Sequence, residues 1–247
     1  MIVPRREDAL HKAQLLRLLT AIVDNTALSR SLYFKGGTCA SMLSYLDRFS
    51  VDLDFDLKKS IEIKPLRKAF RSVFESHALT VKTENKYLLT YVLQYENRKY
   101  GRNSIKLNAL PSFAKSNIYT VSYFPEIDRY MGCQTIDTMF ANKLVAVTDR
   151  YNKYKTVAGR DIYDIHHFFY HGYSYNKEVI QERTGLAPDK YIAKLISFIK
   201  RHITQSILSQ DLDTLLPYQK YHEIRKILIP ETLMFLHDEL KRLCDDN

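Results

Sequence analysis

Three aspartates, Asp52, Asp54 and Asp56, occupy alternate positions in the run VDLDFDL at 51–57. Apolar Val51, Leu53, Phe55 and Leu57 fall between them, which is the period of a strand with one buried and one open face. A strand is therefore expected over 51–57, with all three carboxylates on its open side. Like charges this close raise one another's pKa unless a cation relieves them. Oxygen donors without histidine or cysteine neighbours suit Mg²⁺ or Mn²⁺ rather than zinc, with phosphate oxygens and water completing the shell. Asp52 and Asp54 are the expected metal ligands. The same pattern also fits an acidic edge strand kept soluble by its charge.

Upstream, Ser31 to Lys35 reads as a strand, followed by Gly36-Gly37-Thr38 and then a short helix from Ala40 to Leu46 that Thr38 could cap. Backbone N–H groups at such a strand-to-helix turn can hold a phosphate. A plain tight turn with a threonine cap is the simpler reading of those three residues alone. Only one short helix separates Thr38 from Asp52, so a phosphate-binding turn and a metal-binding strand are placed side by side.

The elements that must position these residues follow from periodicity. Apolar positions between Glu7 and about Leu28 recur at helical spacing, and Pro65 to His77 reads as another helix. Between and after them, stretches at about 79–85, 87–96, 104–110 and 118–124 are rich in Val, Tyr, Thr and Leu and read as strands. Beyond about Gly132 helical patterns dominate, at 136–151, 161–171, 188–205 and 229–243, with turn signals at Gly172, Gly185 to Pro188 and Pro230. The expectation is an α/β (α+β) protein: a mixed-sheet domain over 1–130 and a helical domain over 131–247.

Composition bounds the partners. The chain has 247 residues, 45% hydrophobic and 26% charged, with seven Gly and seven Pro, which is the profile of an ordered soluble globular protein. Its 37 Lys and Arg against 28 Asp and Glu give a net charge of +9, favouring a polyanionic partner such as nucleic acid or a nucleotide. Cys39, Cys133 and Cys244 form no CxxC pair, so neither a disulfide framework nor a cysteine zinc site is expected, and a reducing cytoplasm fits best. The N-terminus becomes charged within five residues and no apolar run approaches the roughly 20 needed to span a bilayer, so no signal peptide and no membrane partner are expected.

The stretch KGGTCASMLSYLDRFSVDLDFDL resembles the KGGT…R-x-S-x-D-x-D signature of the AbiEii/AbiGii family of toxin nucleotidyltransferases, MenT-like type IV toxins related to the DNA polymerase β superfamily. A second block, KLVAVTDRYNKYKTVAGRDIYDI at 143–165, is similar to that family's helical lysine, later arginine and R-D-x-Y-D motif. The resemblance implies that Gly36, Gly37 and Thr38 grip an NTP triphosphate while Asp52 and Asp54 hold two Mg²⁺ ions for in-line attack on the α-phosphate. It implies that Lys143 contacts the triphosphate, that Arg150 binds substrate, that Ser50 braces the turn, and that Arg48 pairs with a carboxylate or phosphate. It makes Asp161 a required active-site group and gives Asp164 a substrate-binding role. Without the resemblance, Lys143 reads as an exposed solubilising residue, Arg48 as a surface ion pair, Asp161 as a helix cap, and Asp164 as a partner of Arg160 or Arg150.

One position departs from the pattern. Polymerase-β-type sites take a third carboxylate from a neighbouring strand, and SIKLNAL places Asn108 there. Asp56 or Asp161 would have to substitute, or the metal site is weaker, or the strand alignment shifts. His167 and His171 have the spacing of a helical zinc pair, but without an HExxH glutamate and among Phe168, Phe169 and Tyr170 they read as structural. The 18 Tyr and 12 Phe can stack on unpaired bases, though both are ordinary sheet and core residues. Lys153, Lys155, Arg160, Lys200 and Arg201 are among the basic residues concentrated in the helical half, which suit an RNA backbone if clustered.

The resulting expectation is transfer of a nucleoside monophosphate from an NTP to an acceptor, in a cleft between the two domains. By resemblance the acceptor is the 3′ end of tRNA, in a toxin–antitoxin or abortive-infection system with a cognate antitoxin. Two alternatives stand beside it: nucleotidylation or phosphorylation of a protein hydroxyl, and a catalytically inactive nucleotide- or RNA-binding module.

Overall fold

The computed structural model describes residues 1–59, 61–96, 101–112 and 114–245. The chain divides into two compact units, the first of Met1–Ser112 with Ile118–Thr135 and the second of Ile136–Asn247 with Phe113–Asn117. The first unit is built on a seven-stranded mixed sheet and the second is helical.

In the first unit, helix α1 (Asp8–Asp24) presents Leu15, Leu18, Leu19 and Ile22 to the core. The single helix expected to about Leu28 is broken at Asn25, which leaves the helical region at ψ 110° and caps a second short helix, α2 (Thr26–Ser29), through its side chain. Strand β1 (Leu32–Lys35) then runs directly into α3 (Gly36–Met42). The helix thus begins at the glycines rather than at Ala40, and Thr38 lies within its first turn rather than capping it. Strand β2 is Leu53–Leu57, so Asp52 precedes the strand. Helix α4 (Ile63–Ser76) buries Leu66, Phe70, Val73 and Phe74, an apolar stripe at helical spacing, and its Phe70 and Phe74 rings pack against Tyr91 of the sheet.

Strands β3 (Thr80–Glu84), β4 (Leu89–Gln94), β5 (Ser104–Pro111) and β6 (Tyr119–Phe124) fall where branched and aromatic residues cluster. A further strand, β7 (Arg129–Gln134), completes the sheet and carries this unit to Thr135. The order is β3-β4-β5-β2-β1-β7-β6. Strand β2 is therefore central, which overturns the edge-strand reading of its aspartates. It pairs antiparallel with β1, Lys35 opposite Asp54, and parallel with β5, Asp54 opposite Asn108. Side chains of Phe34, Leu53, Phe55, Leu107 and Cys133 form the buried face. Asp54, Asp56 and Asn108 project from the other.

In the second unit, α5 (Ile136–Tyr154) packs against α6 (Gly159–Tyr170), α7 (Lys177–Thr184) and α8 (Pro188–His202). Helix α6 also meets α9 (Gln205–Leu212) and α11 (Leu228–Asp245), while α10 (Tyr218–Ile224) precedes the last helix. Phe140 of α5 sits among Phe168, Phe169 and Tyr175, with ring centroids 4.8–5.7 Å away. Tyr191 of α8 is buried and donates its hydroxyl to the Leu144 carbonyl at 2.9 Å, so the polar end of a large core side chain is satisfied. No helix among the described residues is long and apolar enough to cross a membrane.

Gly159 sets the approach of α6 to α9. A Cβ there would lie 2.8 Å from the Ile207 carbonyl oxygen and 2.8 Å from Leu208 Cα, both backbone atoms that cannot swing aside. Gly159→Ala is therefore expected to lower stability by about 1–3 kcal/mol through overpacking, read as a lower urea midpoint with an unchanged denaturant slope.

Candidate active site

The glycine turn and the aspartate strand interlock. Gly36 has φ +80°, and a Cβ on it would lie 2.9 Å from Asp54 Oδ2. A Cβ on Gly37 would lie 2.8 Å from an Arg48 guanidinium nitrogen and 3.0 Å from Ser50 Oγ. Both glycines are thus demanded by side chains of the R-x-S-x-D-x-D segment: one must bend through the left-handed region and both must leave room. The Thr38 hydroxyl donates to the Asp52 carbonyl at 2.5 Å and lies 2.9 Å from Ser50 Oγ, so it fastens the first turn of α3 to the chain entering β2. No side chain caps α3 at Lys35.

Arg48 is 2% exposed and donates to the Phe49 carbonyl at 2.9 Å, while Ser41 donates to the Arg48 carbonyl at 2.9 Å. It is a buried guanidinium against the glycine turn, not a surface ion pair. Ser50 is likewise buried and braces the turn through Thr38.

The three aspartates have different surroundings. Asp56 is 0% exposed, which corrects the expectation of a shared open face. Its Oδ1 accepts from Lys35 Nζ at 2.6 Å, and its Oδ2 from Tyr119 at 2.9 Å and Gln134 Nε2 at 2.7 Å. Lys35 stands directly opposite Asp54 and reaches diagonally across the strand pair to Asp56, so the lysine that begins KGGT neutralises the innermost acid of D-x-D-x-D. Three donors thus occupy both oxygens of Asp56.

Asn108 stands beside Asp54, as the strand register requires, and its Nδ2 donates to Asp54 Oδ1 at 2.9 Å. One oxygen of Asp54 is thereby held, while Oδ2 lies over the Gly36 turn. Hard oxygen donors from Asp52 and Asp54, with Asn108 bringing no charge, fit a Mg²⁺ or Mn²⁺ ion that completes its shell with phosphate and water. Among the described residues no group of three or more His, Cys, Asp or Glu side chains is arranged to hold a metal by itself.

In the helical unit, Lys143 and Arg150 on α5 meet Asp161 and Asp164 on α6. Lys143 Nζ lies 3.1 Å from Asp161 Oδ1 and 2.8 Å from Asp164 Oδ2, and Arg150 lies 3.2 Å from Asp161 Oδ2. Both carboxylates are buried. Asp161 sits inside the first turn of α6, whose cap position is Ala158, so it is not the cap. Asp164 pairs with Lys143, and Arg160 lies 3.9 Å from Asp211. Lys143 is accordingly a held cation rather than a solubilising one. Burial pushes the Asp161 carboxyl up, but the Lys143 and Arg150 charges outweigh it and hold the group below its ordinary value of 3.8.

The histidines serve the helical packing. His166 Nε2 lies 2.7 Å from Glu231, and His171 Nδ1 bonds with the His167 carbonyl at 2.9 Å at the end of α6. Lys35, Tyr119 and Gln134 are the site-supporting residues that the sequence did not announce. Lys35 alone carried a usable signal, its place next to the glycine pair.

The sequence matches the family described as nucleotidyl transferase AbiEii toxin, type IV toxin–antitoxin system, over residues 17–232. A search of the curated proteins finds no significant match. Among solved structures, the fold is similar to that of JHP933 from Helicobacter pylori, at 19% identity, TM-score 0.58 and coverage of 98% of this chain and 97% of that one. A crystallised nucleotidyltransferase, described as putative, from H. pylori is similar at 20% identity and TM-score 0.57, covering 97% and 98%. MenT4, a nucleotidyltransferase toxin of Mycobacterium tuberculosis H37Rv, is similar at 16% identity and TM-score 0.51, covering 96% and 88%. At these identities the structural likeness speaks to the fold.

Two outcomes follow from the charge pairs. Lys35→Met leaves Asp56 buried without its cation and is expected to destabilise the protein by about 3 kcal/mol in urea unfolding. Because the folded Asp161 carboxyl is depressed, its stabilisation is fully present above the unfolded value near 3.8 and is lost as pH falls through the folded value. The stability gap between wild type and Asp161→Asn is therefore expected to be constant from pH 5 to 7 and to narrow below about pH 4, by urea titration at each pH.

Proposed function

The chain belongs to the AbiEii nucleotidyltransferase toxins of type IV toxin–antitoxin systems, and from that premise we propose that it moves a nucleoside monophosphate from an NTP to the 3′ end of an RNA, most directly a tRNA. The observation that carries the reading is the interlock of Asp54 with the Gly36 turn, which sets a carboxylate oxygen against backbone suited to phosphate.

The residues divide the work. Asp52 and Asp54 are the pair to hold Mg²⁺, which when bound supplies charge neutralisation to the reacting phosphate and acidifies the attacking hydroxyl. The N–H groups that open α3 at Gly36, Gly37 and Thr38 bind phosphate oxygens, and the buried Arg48 adds positive potential behind that turn. Asn108 keeps Asp54 in one rotamer by donating to Oδ1. Asp56, already satisfied by Lys35, Tyr119 and Gln134, keeps the β1 strand end in place. Lys143 and Arg150, fixed by Asp161 and Asp164, are cations suited to the triphosphate and the departing pyrophosphate. Such chemistry is positioning plus electrostatics and needs no covalent intermediate. Growth arrest would follow from blocking the tRNA end, and a cognate antitoxin is the implied protein partner.

Incubation with Mg²⁺, total tRNA and each α-labelled NTP in turn is expected to label RNA. Asp54→Asn should reduce that labelling by more than about a hundredfold, beyond what loss of an outer-shell partner costs, with its thermal unfolding cooperative. Label on protein instead of RNA would transfer the acceptor role to a protein hydroxyl, and no label from any NTP would overturn the proposal.

A further inference from the structure

The sheet face that bears Asp54 and Asp56 continues across β1, β7 and β6. Opposite Asp56 stands Tyr33, beside Tyr33 lies Gly132, and opposite Gly132 stands Val121. Four observations bind these residues into one surface. Tyr119 donates to Asp56, the Tyr33 and Tyr119 rings stack at 3.9 Å and 14°, the Tyr33 ring occupies the space a Cβ on Gly132 would need, and Lys58 Nζ lies 4.7 Å from the Tyr33 ring centre. Two residues further along the strands, Tyr123 and Tyr130 are paired in register with centroids 5.1 Å apart.

At its β7–β6 end this surface is open and aromatic, where a sheet would ordinarily be covered or polar. Val121 is 69% exposed, Tyr130 71% and Tyr123 43%. Two of its cations are uncommitted: Lys35 is paired with Asp56, but among the described residues neither Lys58 nor Lys106, which shares this face on β5, is in an ion pair. Exposed aromatic faces beside unpaired ammonium groups complement a single-stranded nucleic acid, whose bases stack on any π-face while its phosphates meet lysine. At strand spacing and rise, the Tyr123–Tyr130 pair lies roughly 15–20 Å from Asp54 on one continuous face, a span a few unpaired nucleotides cover.

We propose that this face is the platform for the unpaired end of the RNA acceptor, with bases stacked on Tyr123 and Tyr130 and a phosphate on Lys58. The inference rests on the nucleotidyl-transfer reading above and adds to it where the acceptor lies on the sheet unit. Tyrosine serves here because it offers a wide stacking surface at little entropic cost while its hydroxyl stays hydrated or bonded, as Tyr123 is to Asp128 at 2.7 Å.

The test is binding of a labelled tRNA to the full chain by fluorescence anisotropy at fixed salt, for wild type, Tyr123→Ala, Tyr130→Ala, Tyr130→Phe and Lys58→Ala. Tyr87→Ala on the β3–β4 hairpin serves as the exposed-tyrosine control. Each tyrosine-to-alanine change is expected to weaken binding about tenfold, with affinity kept in Tyr130→Phe and Tyr87→Ala. Lys58→Ala should weaken binding and flatten the salt dependence. Binding of NTP, followed separately by calorimetry, should be unchanged in Tyr123→Ala and Tyr130→Ala. Equal RNA affinity in wild type and all variants would overturn the platform while leaving RNA as acceptor, and would give this face to a protein partner. A wild type that binds NTP but no RNA would overturn the RNA reading and the platform together.

Discussion

A carboxylate oxygen and a backbone turn cannot come within van der Waals contact unless the turn lacks side chains. Asp54 lies against Gly36, and Arg48 with Ser50 against Gly37, at separations that a Cβ would close to 2.8–3.0 Å. The rest of the sheet unit serves that approach. Strand β1 must deliver the turn beside β2, which their antiparallel pairing does, and α3 must start at once, which the absence of any intervening loop ensures. Thr38 then ties the helix start to the Asp52 carbonyl, so turn and strand move as one piece.

Charge is apportioned around that contact. Alternating aspartates, two of them on a central strand, would repel one another, and the fold treats Asp56 and Asp54 differently. Asp56 is buried and matched by Lys35, with Tyr119 and Gln134 satisfying its second oxygen. Asp54 accepts at Oδ1 from a neutral amide, which brings no charge to it. The helical unit solves its own problem with two cations and two buried carboxylates, in which the Lys143 and Arg150 charges overcome the burial of Asp161.

Much of this was legible in the sequence where local pattern decides structure. The D-x-D run, the glycine turn, six of the seven sheet strands and the four long helices of the second half follow from periodicity and turn chemistry, and the family motif tied the first two together. What escaped depended on distant partners. Strand β7, RYMGCQ, has a glycine and two polar residues and is recognisable only once β1 and β6 pair with it. Alternation predicted that Asp56 faces away from the apolar core, which it does. It could not predict burial there, because Tyr119 and Gln134 arrive from a hairpin more than 60 residues on. Whether an acidic strand is an edge or a centre is likewise set by which strands flank it, a long-range fact. The place of Asn108 on the strand beside Asp54 follows from the motif, whereas its donation to that carboxylate depends on the β2–β5 register, a long-range pairing.

The central claim is that the Gly36–Gly37 turn and the Asp52–Asp54 pair form one phosphate-and-metal seat. Crystals of the protein grown with Mn²⁺ and a non-hydrolysable NTP, with anomalous data collected to locate manganese, test it most directly. The account predicts an anomalous peak within coordination distance of Asp52 and Asp54, with the triphosphate on the N–H groups of Gly36 to Thr38. A nucleotide seated elsewhere, or manganese bound away from both aspartates, would contradict it.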